Sequence, residues 1–387
     1  MIKRILPASA LLLLALWCGL NALAQRSPTP GSQVAGNATG DVVSAAKKFM
    51  ATLDDAQRGK LVYDFKDDAQ RRRWSNLPTF PRGGLRFGDL TAPQREAALG
   101  VVAAALSAQG YEKTMQIVEA DEVLKQTGGG RGGPGGRGPD QRGGPGGPPD
   151  ARGPGGPGGP GGRRGGPGGR GGGAMFGRDN YYISFVGQPS ATDPWMIQFG
   201  GHHLGLNITL TGGQRTLAPS HTGAQPAVYQ IEGKTIRPLG REVDKGFALI
   251  NALDEGQRKQ AILGVQMRDL VLGPGRDGQA IAPEGIKGSA LTEAQRQMLL
   301  DLASEWTGIL NDAAANAKME EMKKNVGKTW FAWAGPTEKG SAAYFRIQGP
   351  TVFIEYAPQQ MGGDATKHIH TIYRDPTNDY GAKWWKP

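Results

Sequence analysis

Leu53-Asp54-Asp55-Ala56-Gln57-Arg58 is one of four related hexapeptides in the chain. The others are Leu90-Thr91-Ala92-Pro93-Gln94-Arg95, Leu253-Asp254-Glu255-Gly256-Gln257-Arg258 and Leu291-Thr292-Glu293-Ala294-Gln295-Arg296. After each Leu stands an Asp or a Thr, and three residues later a Gln. This is capping-box spacing: the first side chain accepts from an orphan backbone N–H, and the Gln reaches back to the cap's own N–H. Pro93 falls in the first turn, where a missing N–H costs nothing. The hexapeptides therefore read as four helix starts, and capping accounts for every fixed position except the Arg.

The four starts form two pairs, Leu53 with Leu253 at an offset of 200 and Leu90 with Leu291 at 201. Gly84-Leu85 matches Gly285-Ile286 at the same 201. Strand-like sequence follows each helical part: Tyr181 to Val186 and Trp195 to Leu210 first, then Trp330 to Trp333, Tyr344 to Gln348 and Thr351 to Tyr356. Phe185-Val186-Gly187 corresponds to Trp333-Ala334-Gly335, and Phe199-Gly200-Gly201 to Ile347-Gln348-Gly349, now at an offset of 148. The expected fold is α+β, one domain over residues 41–387 made of two pseudo-repeats (41–215 and 240–387), each of helices followed by antiparallel strands. The lost offset of about 53 matches an insertion of residues 128–173 in the first repeat.

That insertion holds 26 Gly, 9 Pro and 7 Arg in 46 residues, and with two Asp it carries a net +5 of the chain's formal +10. Setting it aside together with Lys3 and Arg4 leaves 36 basic against 33 acidic residues. The body is nearly balanced, so the charge gives no reason to expect nucleic acid as a partner. Glycine recurs at every third position from Gly129 to Gly171, except at Gln141 and Asp150, but Pro is too sparse for a stable collagen-like helix. The segment reads as a disordered cationic loop that could touch anionic surfaces.

At the N-terminus, Lys3 and Arg4 precede an apolar run from Leu11 to Leu16 and the small-residue pattern Ala22-Leu23-Ala24. This is a signal peptide over residues 1–24, followed by a flexible segment 25–40, which gives an exported protein, periplasmic or extracellular, with no membrane span after processing. A retained N-terminal anchor is the alternative. The one cysteine, Cys18, leaves with the leader, so thiolate chemistry is excluded and any metal must be held by His, Asp, Glu or backbone oxygen.

Four of the five histidines are clustered: His202-His203, and His368-x-His370 near the C-terminus. On a strand, His368 and His370 would point to one face and act as adjacent ligands, whereas His202 and His203 would point to opposite faces. His202 then shares the apolar face of Leu204, Leu206 and Ile208, and His203 the polar face of Gly205 and Asn207. In the second repeat Val352, Ile354 and Tyr356 form the apolar face, with Thr351 and Glu355 opposite. If the polar faces converge, His203, Glu355, His368 and His370 meet and could hold zinc, manganese, iron or copper. Asp375, Asp379 or Glu355 would serve as base, Arg374 would stabilise an oxyanion, and His202, Asn207 and Tyr380 would border the site. His221, beside Pro219 and Gly223, reads as an exposed loop residue. There is no Gly-x-Ser-x-Gly elbow, no phosphate loop and no dinucleotide fingerprint between strand and helix, which disfavours serine hydrolases, nucleotide-hydrolysing enzymes and nicotinamide dehydrogenases.

From about Ala45 to Gly381 the chain resembles the domain of unknown function 3500 family of exported, mostly bacterial proteins. The residues carrying the resemblance are Trp74, Gly201-His202-His203-Leu204 with Asn207, the hairpin from Tyr344 to Glu355 with Gly349-Pro350, His368-Ile369-His370-Thr371, and Arg374-Asp375-Pro376 with Asn378-Asp379-Tyr380-Gly381. The chain departs from the family pattern in the Gly-rich insertion and around His221. The resemblance implies the domain span and export, and no established activity. Two functions remain open. One is an exported protein with a His/carboxylate metal site between the repeats, hydrolytic or oxidative. The other is a non-catalytic module for a small-molecule or envelope ligand, whose histidines are structural.

Overall fold

The computed structural model describes residues 39–127, 175–360 and 363–385; the expected leader at 1–24, the segment from 25 to 38 and the expected insertion at 128–173 lie outside the described residues. All four hexapeptides start helices. These are α2 (Asp55–Leu61), α4 (Ala92–Ala105), α7 (Glu255–Ala261) and α8 (Glu293–Thr307), each with a complete reciprocal capping box. The glutamines do more than cap. Gln94 donates from Nε2 to Gln57 Oε1 (2.9 Å) and to the Thr52 carbonyl (2.9 Å) just beyond α1 (Thr39–Ala51). Gln295 does the same with Gln257 (2.8 Å) and with the Ala252 carbonyl (2.8 Å) that ends α6 (Gly240–Ala252). The arginine that capping left unexplained also has a partner. Arg258 Nε donates to the Leu253 carbonyl at 2.9 Å, and Arg58 Nη1 donates to that of Leu53. Each hexapeptide thus closes on its own first residue or on the loop before it, and each pair locks one helix end to the next helix start.

The remaining helices are α3 (Asp68–Arg71), α5 (Ala108–Gln126) and α9 (Asp312–Asn325). The short strands are β1 (Val62–Tyr63), β2 (Leu85–Arg86), β6 (Gln214–Thr216), β8 (Tyr229–Ile231), β9 (Lys234–Ile236) and β10 (Ile286–Lys287). The longer ones are β3 (Tyr182–Val186), β4 (Trp195–Gly201), β5 (Leu204–Thr211), β7 (Ser220–Ala224), β11 (Trp330–Ala334), β12 (Tyr344–Gly349), β13 (Val352–Pro358) and β14 (Ile369–Arg374). Apart from the separate β8–β9 hairpin, they form one 12-stranded sheet in the order β1-β3-β4-β5-β7-β14-β13-β12-β11-β10, with β2 on β3 and β6 on β5. The β1–β3 pair is parallel and the others are antiparallel, so the protein is α+β with a mixed sheet. Tyr182 faces Gly200 and Asn207 faces Gln198; Trp330 faces Gln348 and Glu355 faces Arg346. No described helix is long and apolar enough to cross a membrane.

Strand alternation divides the sheet into two unlike faces. Leu204, Leu206, Ile208 and Leu210 of β5, Val352, Ile354 and Tyr356 of β13, and Ile369 and Tyr373 of β14 join the main core with the helices. The intervening residues point the other way. There Trp74, from the segment at 64–83 that carries α3 and is otherwise loop, and Leu272, from the loop at 263–284, pack with Phe353 and Ile372 in a smaller cluster. One face is therefore closed by helices and the other by two long loops, and the polar strand residues lie beneath the loops.

Replacing Gln295 with Ala removes the reciprocal cap, the Ala252 clamp and the Gln257 bond together. Loss of a cap costs roughly 1 kcal/mol, so the expected result is a lowered unfolding midpoint in urea with an unchanged slope; an unchanged midpoint would refute the clamping role.

Candidate metal centre

Five histidines occur in the chain, and the fold gathers all of them. Ring centroids lie 3.6 Å apart for His202 and His203, 4.9 Å for His203 and His368, 4.8 Å for His368 and His370, and 5.1 Å for His221 and His370. Two expectations are corrected. His221 is not an exposed loop residue: it lies on β7, completely buried and paired across from Ile372. Nor do His202 and His203 point to opposite faces of a strand. They are the turn between β4 and β5, and His203 has φ 60°. The left-handed residue breaks the two-residue alternation, so both rings swing to the same partner.

That partner is Asp121 on α5. His202 Nδ1 and His203 Nδ1 each lie 3.0 Å from the same oxygen, Asp121 Oδ1. The Tyr181 hydroxyl is 2.7 Å from Asp121 Oδ2 and 2.8 Å from the His202 carbonyl. Gly201 makes this possible, since a Cβ there would sit 3.0 Å from the Tyr181 ring. Burial raises the Asp121 carboxyl, opposed first by the hydrogen bond from His202. Asp121 escaped the sequence reading, yet Ile117, Asp121 and Leu124 are buried at the spacing of one helix face, and a carboxylate on an apolar stripe is the signal that marks it.

His203, His368 and His370 present their Nε2 atoms to one another, at 2.9 Å between His203 and His368 and 3.1 Å between His368 and His370. Histidine nitrogens about 2.0–2.1 Å from a tetrahedral zinc stand about 3.3–3.4 Å apart, with ring centroids about 5 Å apart. The two separations from His368 are a few tenths of an ångström shorter than that. These three side chains could hold a metal ion, as could the adjoining set of Asp121, His202 and His203. Burial, and then the neighbouring histidines, hold His203 well below the usual imidazole range. Burial also lowers His370, against the pull of Asp269. Lowered values favour neutral imidazole, the form that binds metal. His370 Nδ1 faces Asp269 Oδ1 at 3.6 Å, and Asn76 Nδ2 lies 3.4 Å from both ring nitrogens of His370. Asp269 comes from the loop at 263–284 and Asn76 from the loop at 64–83, so both loops reach the triad. His202, His368 and His370 border a cleft of about 540 Å³ whose walls include Leu77, Phe176 and Leu270.

The family model described as "Protein of unknown function (DUF3500)" matches residues 35–382. The chain belongs to this family. Comparison with curated proteins and with solved structures returns no match. Membership carries no activity with it, and the site rests on the geometry of its residues.

The carboxylates expected at the site serve elsewhere. Glu355 is not with the histidines: it accepts from the Tyr344 hydroxyl (2.6 Å) and from the backbone N–H groups of Val271 and Leu272 (2.9 Å each). Burial raises its pKa, with those hydrogen bonds opposing. Arg374 donates to the carbonyls of Leu272 and Gly273 and to Asp277 and Asp379. Burial pushes the Asp379 carboxyl up to about 6, against the charge of Arg374. Asp375 pairs with Lys318 at 2.7 Å. Tyr380 donates to Asp277 and accepts from the Trp74 indole. Asn207 lies in a buried amide chain with Gln198 and the Pro219 carbonyl. Glu355, Arg374, Asp379 and Tyr380 thus fasten the covering loops and the C-terminal segment. Glu355 was expected at the centre because a polar residue on a strand reveals its face but not its partner.

Glu355→Ala leaves two backbone N–H groups and the Tyr344 hydroxyl without their acceptor, a loss on the order of 2–4 kcal/mol. The expected outcome is a lower melting temperature with zinc uptake per folded molecule equal to that of the unsubstituted chain; weaker uptake at full stability would return Glu355 to the candidate ligands.

Proposed function

We propose that this is an exported metalloprotein that holds one transition-metal ion on His203, His368 and His370 and uses it for hydrolysis. The observation that carries the reading is the convergence of three buried Nε2 atoms beside a cleft. Three neutral imidazoles would leave an ion its full charge, and three protein ligands rather than four are the pattern of catalytic, not closed structural, sites. An all-imidazole set suits zinc, copper or iron better than manganese, which prefers carboxylates. Zinc is the leading choice, because it lowers the pKa of a bound water to about 7 and so supplies hydroxide at neutral pH. The cleft combines apolar walls with the amide of Asn76, which suits a small organic substrate. Copper and oxidative chemistry are the alternative for the same ligands.

The duplicated architecture belongs to the same reading. Support comes from the strand registers, since Tyr182–Gly200 and Asn207–Gln198 recur 148 residues later as Trp330–Gln348 and Glu355–Arg346. In this reading, β7 from the segment joining the repeats and β14 from the second repeat bring the histidines together. Export is supported by the signal-peptide pattern, and contact of the Gly/Arg-rich insertion with anionic surfaces by its charge.

Metal analysis of the mature chain, purified without a histidine tag, tests the proposal. About one equivalent of zinc or copper is expected, and zinc at a hundred times its Kd should stabilise the apo protein by about 2.7 kcal/mol. The His368→Ala, His370→Ala double variant should stay folded, lose the metal and lose zinc-dependent cleavage of an activated ester. Less than about a tenth of an equivalent, with no thermal shift on adding zinc, copper, iron or manganese, overturns it and favours hydrogen-bonding histidines.

A further inference from the structure

One carboxylate oxygen serves two imidazoles here. Asp121 Oδ1 lies 3.0 Å from both His202 Nδ1 and His203 Nδ1, and Asp121 and His203 are completely buried. The Tyr181 hydroxyl sits against the other oxygen. The Tyr181 hydroxyl donates to Oδ2, and with the carboxylate ionised Oδ1 accepts from both rings, so each Nδ1 carries a hydrogen. A neutral imidazole has one N–H. With both rings neutral, both Nε2 atoms are then bare lone pairs. That of His203 points at His368. His202 borders the cleft with Phe176 against its ring at 4.8 Å, and no described residue bonds its Nε2.

We propose that Asp121 is a positioning residue that sets two tautomers at once. It presents His203 Nε2 to the metal as a ligand, and it presents His202 Nε2 to the cleft as a hydrogen-bond acceptor for the molecule bound at the fourth metal position. The inference rests on the metal site proposed above, and it names the ligand class: a group that binds the metal through oxygen and carries an O–H or N–H beside that oxygen. A carboxylate holding the far nitrogen of a metal-binding histidine fixes its ring and raises its basicity. The arrangement here extends that hold to a second histidine, because the left-handed turn at His203 leaves adjacent residues facing one oxygen.

The test uses the full mature chain. Long-range proton–nitrogen spectra of metal-free, nitrogen-15-labelled protein should show His202 and His203 protonated at Nδ1 and bare at Nε2; an Nε2–H on either one overturns the proposal. Asp121→Asn, checked to retain the melting temperature of the apo protein, should bind zinc about 10–100-fold more weakly. His202→Phe should keep zinc affinity within about threefold, because it is not a ligand, yet bind acetohydroxamate about tenfold more weakly through loss of one hydrogen bond. Thiocyanate, which offers no hydrogen, should bind both zinc-loaded proteins alike. If His202→Phe loses zinc as Asp121→Asn does, or weakens both probes equally, His202 is not the acceptor. A wild-type chain that takes up no zinc refutes the metal site, whereas the tautomers of the metal-free protein still decide the role of Asp121.

Discussion

The pairing of β7 with β14 is the constraint on which the centre depends. Ile369 faces Ala224, His370 faces Gly223 and Ile372 faces His221 in an antiparallel ladder at the middle of the sheet. A slip of one residue would turn His370 and His221 onto the helix side and replace them with threonines. The helix side resists that slip. Thr222 and Thr371 share a hydroxyl hydrogen bond of 2.7 Å, and the Trp306 indole donates to Thr371 at 3.0 Å. Three polar atoms in an otherwise apolar layer satisfy one another only in this register, so the register is worth more than the ladder alone. Gly223 adds a steric condition, since a Cβ there would come within 3.2 Å of both the His203 and His221 rings.

Around that seam the two faces of the sheet divide the work. The helix face supplies stability through continuous apolar packing, and helix ends are tied by interlocked glutamines. The loop face supplies polarity under cover. Glu355 and Arg374 hold the loop at 263–284 through its backbone, and the same loop carries Asp269 to His370. Glu355 and Arg374 therefore act through the loop, by setting where Asp269 stands relative to His370. The surroundings of the triad are thereby built from both loops and from α5, and no single segment makes the site.

Much of the fold was legible because its signals are short. Asp254 and Gln257 mark a helix start from three residues away, and alternation in Leu204 to Leu210 marks a strand from two. The extended runs at Tyr344 and Thr351 became β12 and β13 nearly as bounded. The site was legible only in part. His203, His368 and His370 stood out by type, and they do converge. Glu355 stood out by parity alone and does not. His221 looked exposed beside Pro219 because proline and glycine usually mark turns, yet Ser220–Ala224 is paired on both sides.

The sequence alone determined the helix starts, the strand faces and the residue types able to bind a metal, because capping and pleating act within a few residues. Tertiary structure alone decided that Asp121 meets His203 across 82 residues and that His203 meets His368 across 165. Those meetings follow from which strands pair and from one left-handed residue in a turn. Neither leaves a periodic trace in the chain, since a pairing partner is chosen by buried contacts summed over the whole sheet.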